Sequence, residues 1–211
     1  MDIKNLRLNY KKSTIDFTNL DENPIKYFMN WFADALKVNK QEANACVLST
    51  VSLDNCPSSR VVLLKGVNEN GFTFFTNYKS SKAKDIDANP NVALNFYWPE
   101  LERQVRIEGI AKKIMINDSD TYFKSRPRES QMGAWLSDQS KVIGLDYNFM
   151  ETLTSLESKF KDKEVERPLH WGGYCIEPIK VEFWQGRPSR LHDRLEYKIE
   201  DGKWIYKRLA P

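Results

Sequence analysis

Four stretches of this chain bring cations, hydroxyls and aromatic rings together at spacings that suit a phosphorylated ligand. The first is Arg60-Val61-Val62-Leu63-Leu64-Lys65, an apolar run with a cation at each end. Side chains alternate along a β-strand, so Arg60 and Lys65 point to opposite faces and can reach a rim. Such a pair can meet a phosphate, or can be two surface cations whose stems cover apolar surface. The second is Phe75-Thr76-Asn77-Tyr78-Lys79-Ser80-Ser81-Lys82. Here a strand-like run passes through a hydroxyl-rich turn into a helix start, where free N–H groups, hydroxyls and Lys82 can seat an anion. An ordinary serine cap among solvent lysines has the same pattern.

The third stretch is Tyr122-Phe123-Lys124-Ser125-Arg126-Pro127-Arg128-Glu129-Ser130. Pro127 breaks the helix and leaves Arg126 beside a fresh helix N-terminus. A guanidinium, a phenol, a hydroxyl and free N–H groups then share one small volume, which suits a phosphate monoester that arginine grips with two bonds. The plainer reading is a basic helical hairpin with salt bridges. The fourth stretch runs from Val181 to Arg194, where an aromatic strand ends in a Gly/Pro loop and Arg190, His192 and Arg194 then alternate. If extended, the three share one face and repel one another unless an anion or an electron-rich ring lies opposite. A lone histidine between surface arginines is the alternative.

The same residues exclude several chemistries. No Ser-His-Asp order fits acyl transfer, and no Gly-rich phosphate loop is present. Only His170 and His192 are available, and the cysteines Cys46, Cys56 and Cys175 form no Cys-x-x-Cys, so no metal site is expected. Several phosphate seats without a metal or a nucleophile point to a bound cofactor that carries the reaction. A formal net charge of only +3 does not imply a nucleic-acid coat, and no apolar run is long enough to cross a membrane. Three widely spaced cysteines and no apolar signal core behind Met1 read as free thiols in a cytoplasmic protein.

These stretches need a scaffold. Residues 1–22 are polar and irregular and are expected as a flexible N-terminal segment ahead of one domain over 23–211. Asn23-Pro24 reads as a cap, and the spacing of Ile25, Phe28, Met29, Phe32, Ala35 and Leu36 predicts a helix over 24–38. Short β-like runs at 45–53, 59–67 and 71–77 form a meander, with a helix over 80–88 and a strand over 91–98. Residues 103–116 alternate, with Val105, Ile107, Gly109 and Ala111 on one face and Gln104, Arg106 and Glu108 on the other. Asp118 is expected to cap a short helix ending near Pro127, which opens a second, and Asn148-x-x-Glu151 a third, reaching about Phe160. Strands over 174–184, 194–199 and 203–209 complete a closed or nearly closed antiparallel barrel with helices outside.

Taken together, these motifs are recognisable. Arg60 to Lys65, Phe74-Phe75-Thr76-Asn77, Glu102-Arg103-Gln104-Val105-Arg106, Ser125 to Ser130, Gln139-Ser140, Phe183-Trp184-Gln185-Gly186, Arg190 to Arg194 and the ending Arg208-Leu209-Ala210-Pro211 resemble the pyridoxine/pyridoxamine 5′-phosphate oxidase family. The resemblance spans nearly the whole chain from the first helix onward. It implies a mainly β fold with flanking helices, the FMN-binding split β-barrel (a Greek-key antiparallel barrel), working as a homodimer with FMN at the subunit interface. It also implies oxidation of pyridoxamine and pyridoxine 5′-phosphates to pyridoxal 5′-phosphate, with dioxygen as acceptor and hydrogen peroxide as by-product.

By the same resemblance, Arg60, Val61, Val62, Leu63, Leu64, Lys65, Phe75, Thr76, Ser81, Lys82, Gln104, Gln139, Ser140, Trp184 and Arg194 hold FMN. Lys65, Tyr122, Arg126, Ser130, Arg190, Leu191 and His192 contact substrate, and Arg190 and His192 are the catalytic pair. Arg7-Leu8-Asn9-Tyr10 resembles a segment that closes over substrate, which adds Arg7 and Tyr10. Ser81 stands where the family often has arginine, and Phe75 where it often has tyrosine. Another split-barrel flavin oxidoreductase and a non-catalytic flavin or vitamin-phosphate carrier are the alternatives.

Overall fold

The computed structural model describes every residue except 1, 2 and 6–8. The first helix, α1 (Pro24–Val38), starts where the side-chain oxygen of Asn23 accepts from the N–H groups of Ile25 and Lys26, with Pro24 in the first turn. Its buried face carries Ile25, Phe28, Trp31 and Ala35. It is followed by β1 (Ala45–Val51), β2 (Pro57–Leu63), β3 (Gly66–Asn68), β4 (Gly71–Asn77), α2 (Ser81–Ala88), β5 (Asn91–Trp98) and β6 (Arg103–Lys113). The remainder comprises α3 (Ile116–Ser125), α4 (Arg128–Leu136), α5 (Phe149–Lys159), β7 (Trp171–Gln185), β8 (Asp193–Glu200) and β9 (Lys203–Leu209). No helix among the described residues is long and apolar enough to cross a membrane.

All strand pairs are antiparallel, in the order β2-β1-β5-β6-β7-β4-β3, with β8 on β7 and β9 on β8. The path returns on itself between β2 and β3. The Leu64 N–H donates to Asn44 O on the β1 side, and the next amide, Lys65 N–H, donates to Thr73 O on β4. That hand-over splits the single strand expected over 59–67 into β2 and β3. Strand β7 is the backbone of the sheet. One edge pairs with β6 along its length, while the other pairs with β4 over Trp171–Ile176 and with β8 over Lys180–Gln185. Between these stretches the β6 register shifts, Gly109 facing Pro178 and Glu108 facing Lys180. A Cβ on Gly109 would collide with the Glu177 carbonyl, so the bulge needs glycine there.

Aromatic packing holds α1 on the barrel. The ring of Phe28 meets Phe72 at 4.9 Å and Phe96 at 5.1 Å, and Trp31 meets Phe183 at 5.2 Å. A second, smaller core of Phe123, Met132, Phe160, Val165 and Trp171 joins α3, α4 and α5 to the start of β7.

Several boundaries differ from expectation. Strand β1 stops at Val51, since Ser52 N–H donates to Cys56 O in a turn. Helix α3 begins at Ile116 behind Met115, so Asp118 lies in the first turn and does not cap it. Pro127 occupies the position before α4. Residues 9–22 are packed onto the barrel: Ile15 is 5% exposed, and the Tyr197 hydroxyl donates to Asp21 O. A polar composition read as flexibility thus conceals one apolar anchor and several backbone acceptors and donors.

Gly109→Ala is expected to cost about 1–3 kcal/mol in denaturant unfolding, because the added methyl forces the bulge apart. Gly133→Ala in α4, where a Cβ meets open space, is expected to gain roughly 0.5–1 kcal/mol. Equal effects at both positions would refute the assignment of the bulge as a close-packed pivot.

Candidate functional site

A cleft of about 410 Å³ opens between β2, β4 and the α3–α4 junction. Val61, Val62, Leu63, Lys65, Phe75, Thr76, Lys82, Tyr122, Arg126, Ser130 and Gln139 line it, all of them anticipated, together with Pro127 and Trp171. The elements explain the convergence. Lys65 sits on the hand-over between β2 and β3, Thr76 near the end of β4, and Lys82 in the first turn of α2. Pro127 forces the chain out of α3 into an extended Arg126, which turns the guanidinium back over Trp171 at 4.5 Å. Phe75 stacks on Tyr122 at 3.9 Å and on Trp171 at 5.3 Å, giving the cleft a wall of near-parallel rings.

Arg126 is the anomaly in this wall. Its Nη1 is buried and has no hydrogen-bond partner. Burial pulls its pKa below the usual arginine value, with Tyr122 opposing, and burial raises the Tyr122 phenol. Across the cleft the Lys82 ammonium donates to Thr76 Oγ1 (3.2 Å), Ser80 Oγ (3.3 Å) and Gln139 Oε1 (3.1 Å). Burial, and then the charge of Arg60, lower the Lys82 pKa. Asn77 donates to Ser137 O and so holds the segment that presents Gln139.

Some anticipated residues stand back from this cleft. The guanidinium of Arg60 is taken by Thr50 Oγ1 (2.7 Å) and Ser58 Oγ (2.5 Å), with Asp85 at 3.8 Å. Leu64 is buried in the main core, where its N–H donates to Asn44 O and its carbonyl accepts from Asn44 Nδ2. Ser81 is exposed at the start of α2, and Ser140, with φ of 71°, lies in the adjoining surface groove.

The remaining anticipated residues form a second group. Gln104 faces Trp184 across β6–β7, and Trp184 faces Arg194 across β7–β8, so the three make one rung of the sheet. His192 lies 4.6 Å from Trp184, and Tyr10 packs edge-on against both, at 5.6 Å from Trp184 and 5.9 Å from His192. The Arg187 backbone N–H donates to His192 Nδ1 at 3.1 Å, so the neutral imidazole carries its proton on Nε2. Burial, then the charge of Arg190, push the His192 pKa below its ordinary value, against Asp193.

Arg190, His192 and Arg194 do not alternate along one strand, contrary to the sequence expectation. Ser189 and Arg190 adopt left-handed backbone (φ 58° and 60°), and β8 begins only at Asp193. Arg194 donates to Glu182 Oε1 (2.8 Å) and to Ala210 O (2.9 Å), which discharges part of the expected repulsion. Arg190 and Leu191 are exposed, and Arg7 lies outside the described residues. No hydrogen bond, ring contact or cleft among the described residues joins the two groups. The residue missed in the cleft wall is Trp171; its signal was an aromatic directly before Gly172-Gly173 at a strand start.

The family model described as Pyridoxamine 5′-phosphate oxidase matches residues 32–151, and that described as Pyridoxine 5′-phosphate oxidase C-terminal dimerisation region matches residues 171–211. Pyridoxine/pyridoxamine 5′-phosphate oxidase of Cyanothece sp. is 47% identical over 211 residues, covering 100% of this chain and 99% of the relative. Pyridoxine/pyridoxamine 5′-phosphate oxidase 2 of Hydrogenovibrio crunogenus is 49% identical, again over 100% and 99%. Among solved structures, PhzG from Burkholderia lata in complex with tetrahydrophenazine-1-carboxylic acid superposes with a TM-score of 0.87 at 25% identity, over 95% of this chain and 100% of that one. A pyridoxamine 5′-phosphate oxidase-related, FMN binding protein from Nostoc punctiforme shares the fold, with a TM-score of 0.73 at 17% identity, over 91% of this chain and 100% of that one. With full-length relatives near half identity and both family models in place, the chain belongs to the pyridoxine/pyridoxamine 5′-phosphate oxidase family.

Proposed function

We propose that this protein is an FMN-dependent oxidase that converts pyridoxamine and pyridoxine 5′-phosphates to pyridoxal 5′-phosphate, with dioxygen as acceptor and hydrogen peroxide as by-product. The observation that carries the reading is Arg126. A half-buried guanidinium whose Nη1 is buried and unpartnered, in one cleft with Lys65, Tyr122 and Ser130, is a costly arrangement in the free protein and a complete donor set for a phosphate monoester.

FMN fits the other side of the cleft. Ser80 makes no side-chain cap bond, which leaves the first N–H groups of α2 to an anion beside Lys82, Thr76 and Ser81. The exposed edges of Val61 (66%) and Leu63 (46%) offer apolar surface for a flat ring. Gln104, Gln139, Ser140, Trp184, Arg194 and the 60–65 backbone complete the proposed cofactor contacts. When bound, FMN supplies acceptance of two electrons from substrate C4′ and its own reoxidation by dioxygen.

The two groups of residues occupy opposite ends of β7. Trp171 and Trp184 are separated by on the order of 40 Å of extended chain. This supports a homodimer in which the His192 group of one protomer completes the cleft of its partner, with FMN in the seam. In that assembly Lys65, Tyr122, Arg126 and Ser130 fix the substrate phosphate. Arg190 covers the substrate ring and orients C4′. Nε2–H of His192 donates to a substrate oxygen, because Nδ1 is already engaged by Arg187. Positioning is the protein's main contribution. The three cysteines are all free, which fits a reducing cytoplasm.

The primary test is oxygen uptake. FMN-loaded protein given pyridoxamine 5′-phosphate in air should consume dioxygen, with water hydrolysing the imine product, and release hydrogen peroxide, ammonia and pyridoxal 5′-phosphate in equal amounts. A carrier would bind FMN and remain inert, and that result would end the oxidase reading.

Arg126→Met should have opposite effects on binding and stability. Removing a phosphate grip should raise KM about 100-fold. Removing a half-buried cation with one buried, unpartnered nitrogen while keeping contact with Trp171 should raise Tm by roughly 2–4 °C. A fall in Tm with unchanged KM would remove Arg126 from the phosphate site.

His192 should titrate below its ordinary 6.5 and appear as the Nε2–H tautomer in nitrogen-15 NMR, where only His170 competes for assignment. The positive Arg190 disfavours imidazolium, so Arg190→Gln should raise that pKa. A histidine that titrates identically in both proteins would mean that Arg190 lies too far away to act with it.

A further inference from the structure

Glu102 occupies a position that neither the sequence motifs nor the proposed substrate and cofactor contacts explain. It follows the short turn Pro99–Leu101 in left-handed backbone (φ 54°), a conformation that costs a non-glycine residue energy. It is only 8% exposed. Its carbonyl accepts from Gly186 N–H at 2.8 Å and from Gln185 Nε2 at 3.2 Å, which ties the turn to the end of β7. Its carboxylate reaches the other way. One oxygen, Oε2, accepts the consecutive backbone N–H groups of Lys11 (2.8 Å) and Lys12 (2.9 Å), some ninety positions away in sequence. Lys12 Nζ also donates to the Glu100 carbonyl.

What those two bonds hold in place is Tyr10. Its ring lies directly on Gly186, where a Cβ would come within 2.8 Å of Tyr10 Cγ. From there it covers Trp184 and His192 edge-on. The chain after Lys12 has its own fastenings. Arg187 donates to Ser13 O at 3.4 Å, Ile15 N–H donates to Asp193 at 3.3 Å, and Ile15 is buried. The stretch before Ser13 is held by the Glu102 carboxylate, with Lys12 Nζ on the Glu100 carbonyl and a side-chain hydrogen bond between Tyr10 and Tyr97 beside it, while the stretch from Ser13 onward has fastenings of its own.

We infer that Glu102 is a positioning residue: its carboxylate latches the N-terminal strap through Lys11 and Lys12, and so sets Tyr10 against His192 on the substrate side of the site. A charged acceptor shared by two adjacent amides is strong when docked and is replaced by water when released, so the latch can hold or let go without disturbing the barrel. The role rests on the oxidase reading for its effect on substrate, but the latch itself does not.

The test uses the full-length, FMN-loaded protein and two variants. Glu102→Gly accepts the left-handed backbone and removes the carboxylate. Glu102→Gln keeps one oxygen for both amides and loses the charge. Limited trypsin digestion, read by mass spectrometry at the bonds after Lys11 and Lys12, should be about tenfold faster in Glu102→Gly than in the wild type, with Glu102→Gln between them. KM for pyridoxamine 5′-phosphate should rise about tenfold in Glu102→Gly while kcat changes less than about threefold, since binding order is lost and the reacting groups are not. Equal cleavage in all three proteins overturns the latch. Faster cleavage with unchanged KM overturns its role in the reaction. If Glu102→Gly loses FMN or melts early, Glu102→Gln decides, and the same two results there overturn the inference. A wild-type protein that does not oxidise the substrate refutes the proposed function, and the cleavage comparison still tests the latch.

Discussion

Strand β7 is the constraint on which the rest of the molecule depends. Fifteen residues long, it gives one whole edge to β6 and divides the other between β4 and β8. A straight strand cannot serve two neighbours that leave in different directions, so the sheet shifts register at Gly109 and Pro178. The half that pairs with β4 carries Trp171 into the cleft floor beside Arg126. The half that pairs with β8 carries Trp184 to the rung shared with Gln104 and Arg194. Every residue proposed to touch a ligand is placed relative to one or other end of this strand, and its length keeps the two ends apart within one chain.

The cations sort into two classes by what surrounds them. Arg194 is matched by the buried Glu182, and Arg60 by Asp85 and two hydroxyls, so their charge is already answered within the fold. Asp193 likewise gathers Arg208 at 3.2 Å and Arg187 at 3.7 Å. Arg126 has aromatic faces on one side and no acceptor for its inner nitrogen. Desolvation without a counter-charge is tolerated in folded proteins chiefly where a ligand completes the set. That contrast sets Arg126 apart from the paired cations more sharply than the count of basic residues, which the near-neutral net charge would not have flagged.

Much of the architecture was legible from residue patterns. The Asn23-Pro24 cap and the apolar spacing placed α1 from Pro24 to Val38, and β4, β5 and β9 appear where turn formers and β-branched or aromatic runs put them. The Arg126–Ser130 junction was readable because proline enforces its geometry whatever the tertiary context. What was not readable depended on partners far away in sequence. The break at Leu64-Lys65 follows from hydrogen bonds to Asn44 and Thr73, the left-handed Arg190 from a loop conformation with no glycine to announce it, and the order of residues 9–22 from Glu102, Asp193 and Tyr197. The cleft wall was named from the motifs that carry its cations and hydroxyls, apolar neighbours included, whereas Trp171 entered through packing.

The hand-over from Leu64 to Lys65 has one more consequence. A full ladder would spread barrel closure over many amides, but here two adjacent ones, turned to opposite neighbours, bridge from the β1 side to β4. The second of them belongs to a residue whose side chain lines the cleft. Fold and ligand therefore share a zipper tooth: whatever seats against Lys65 also steadies the seam. Between turnovers, this is where solvent should first find the sheet's interior amides.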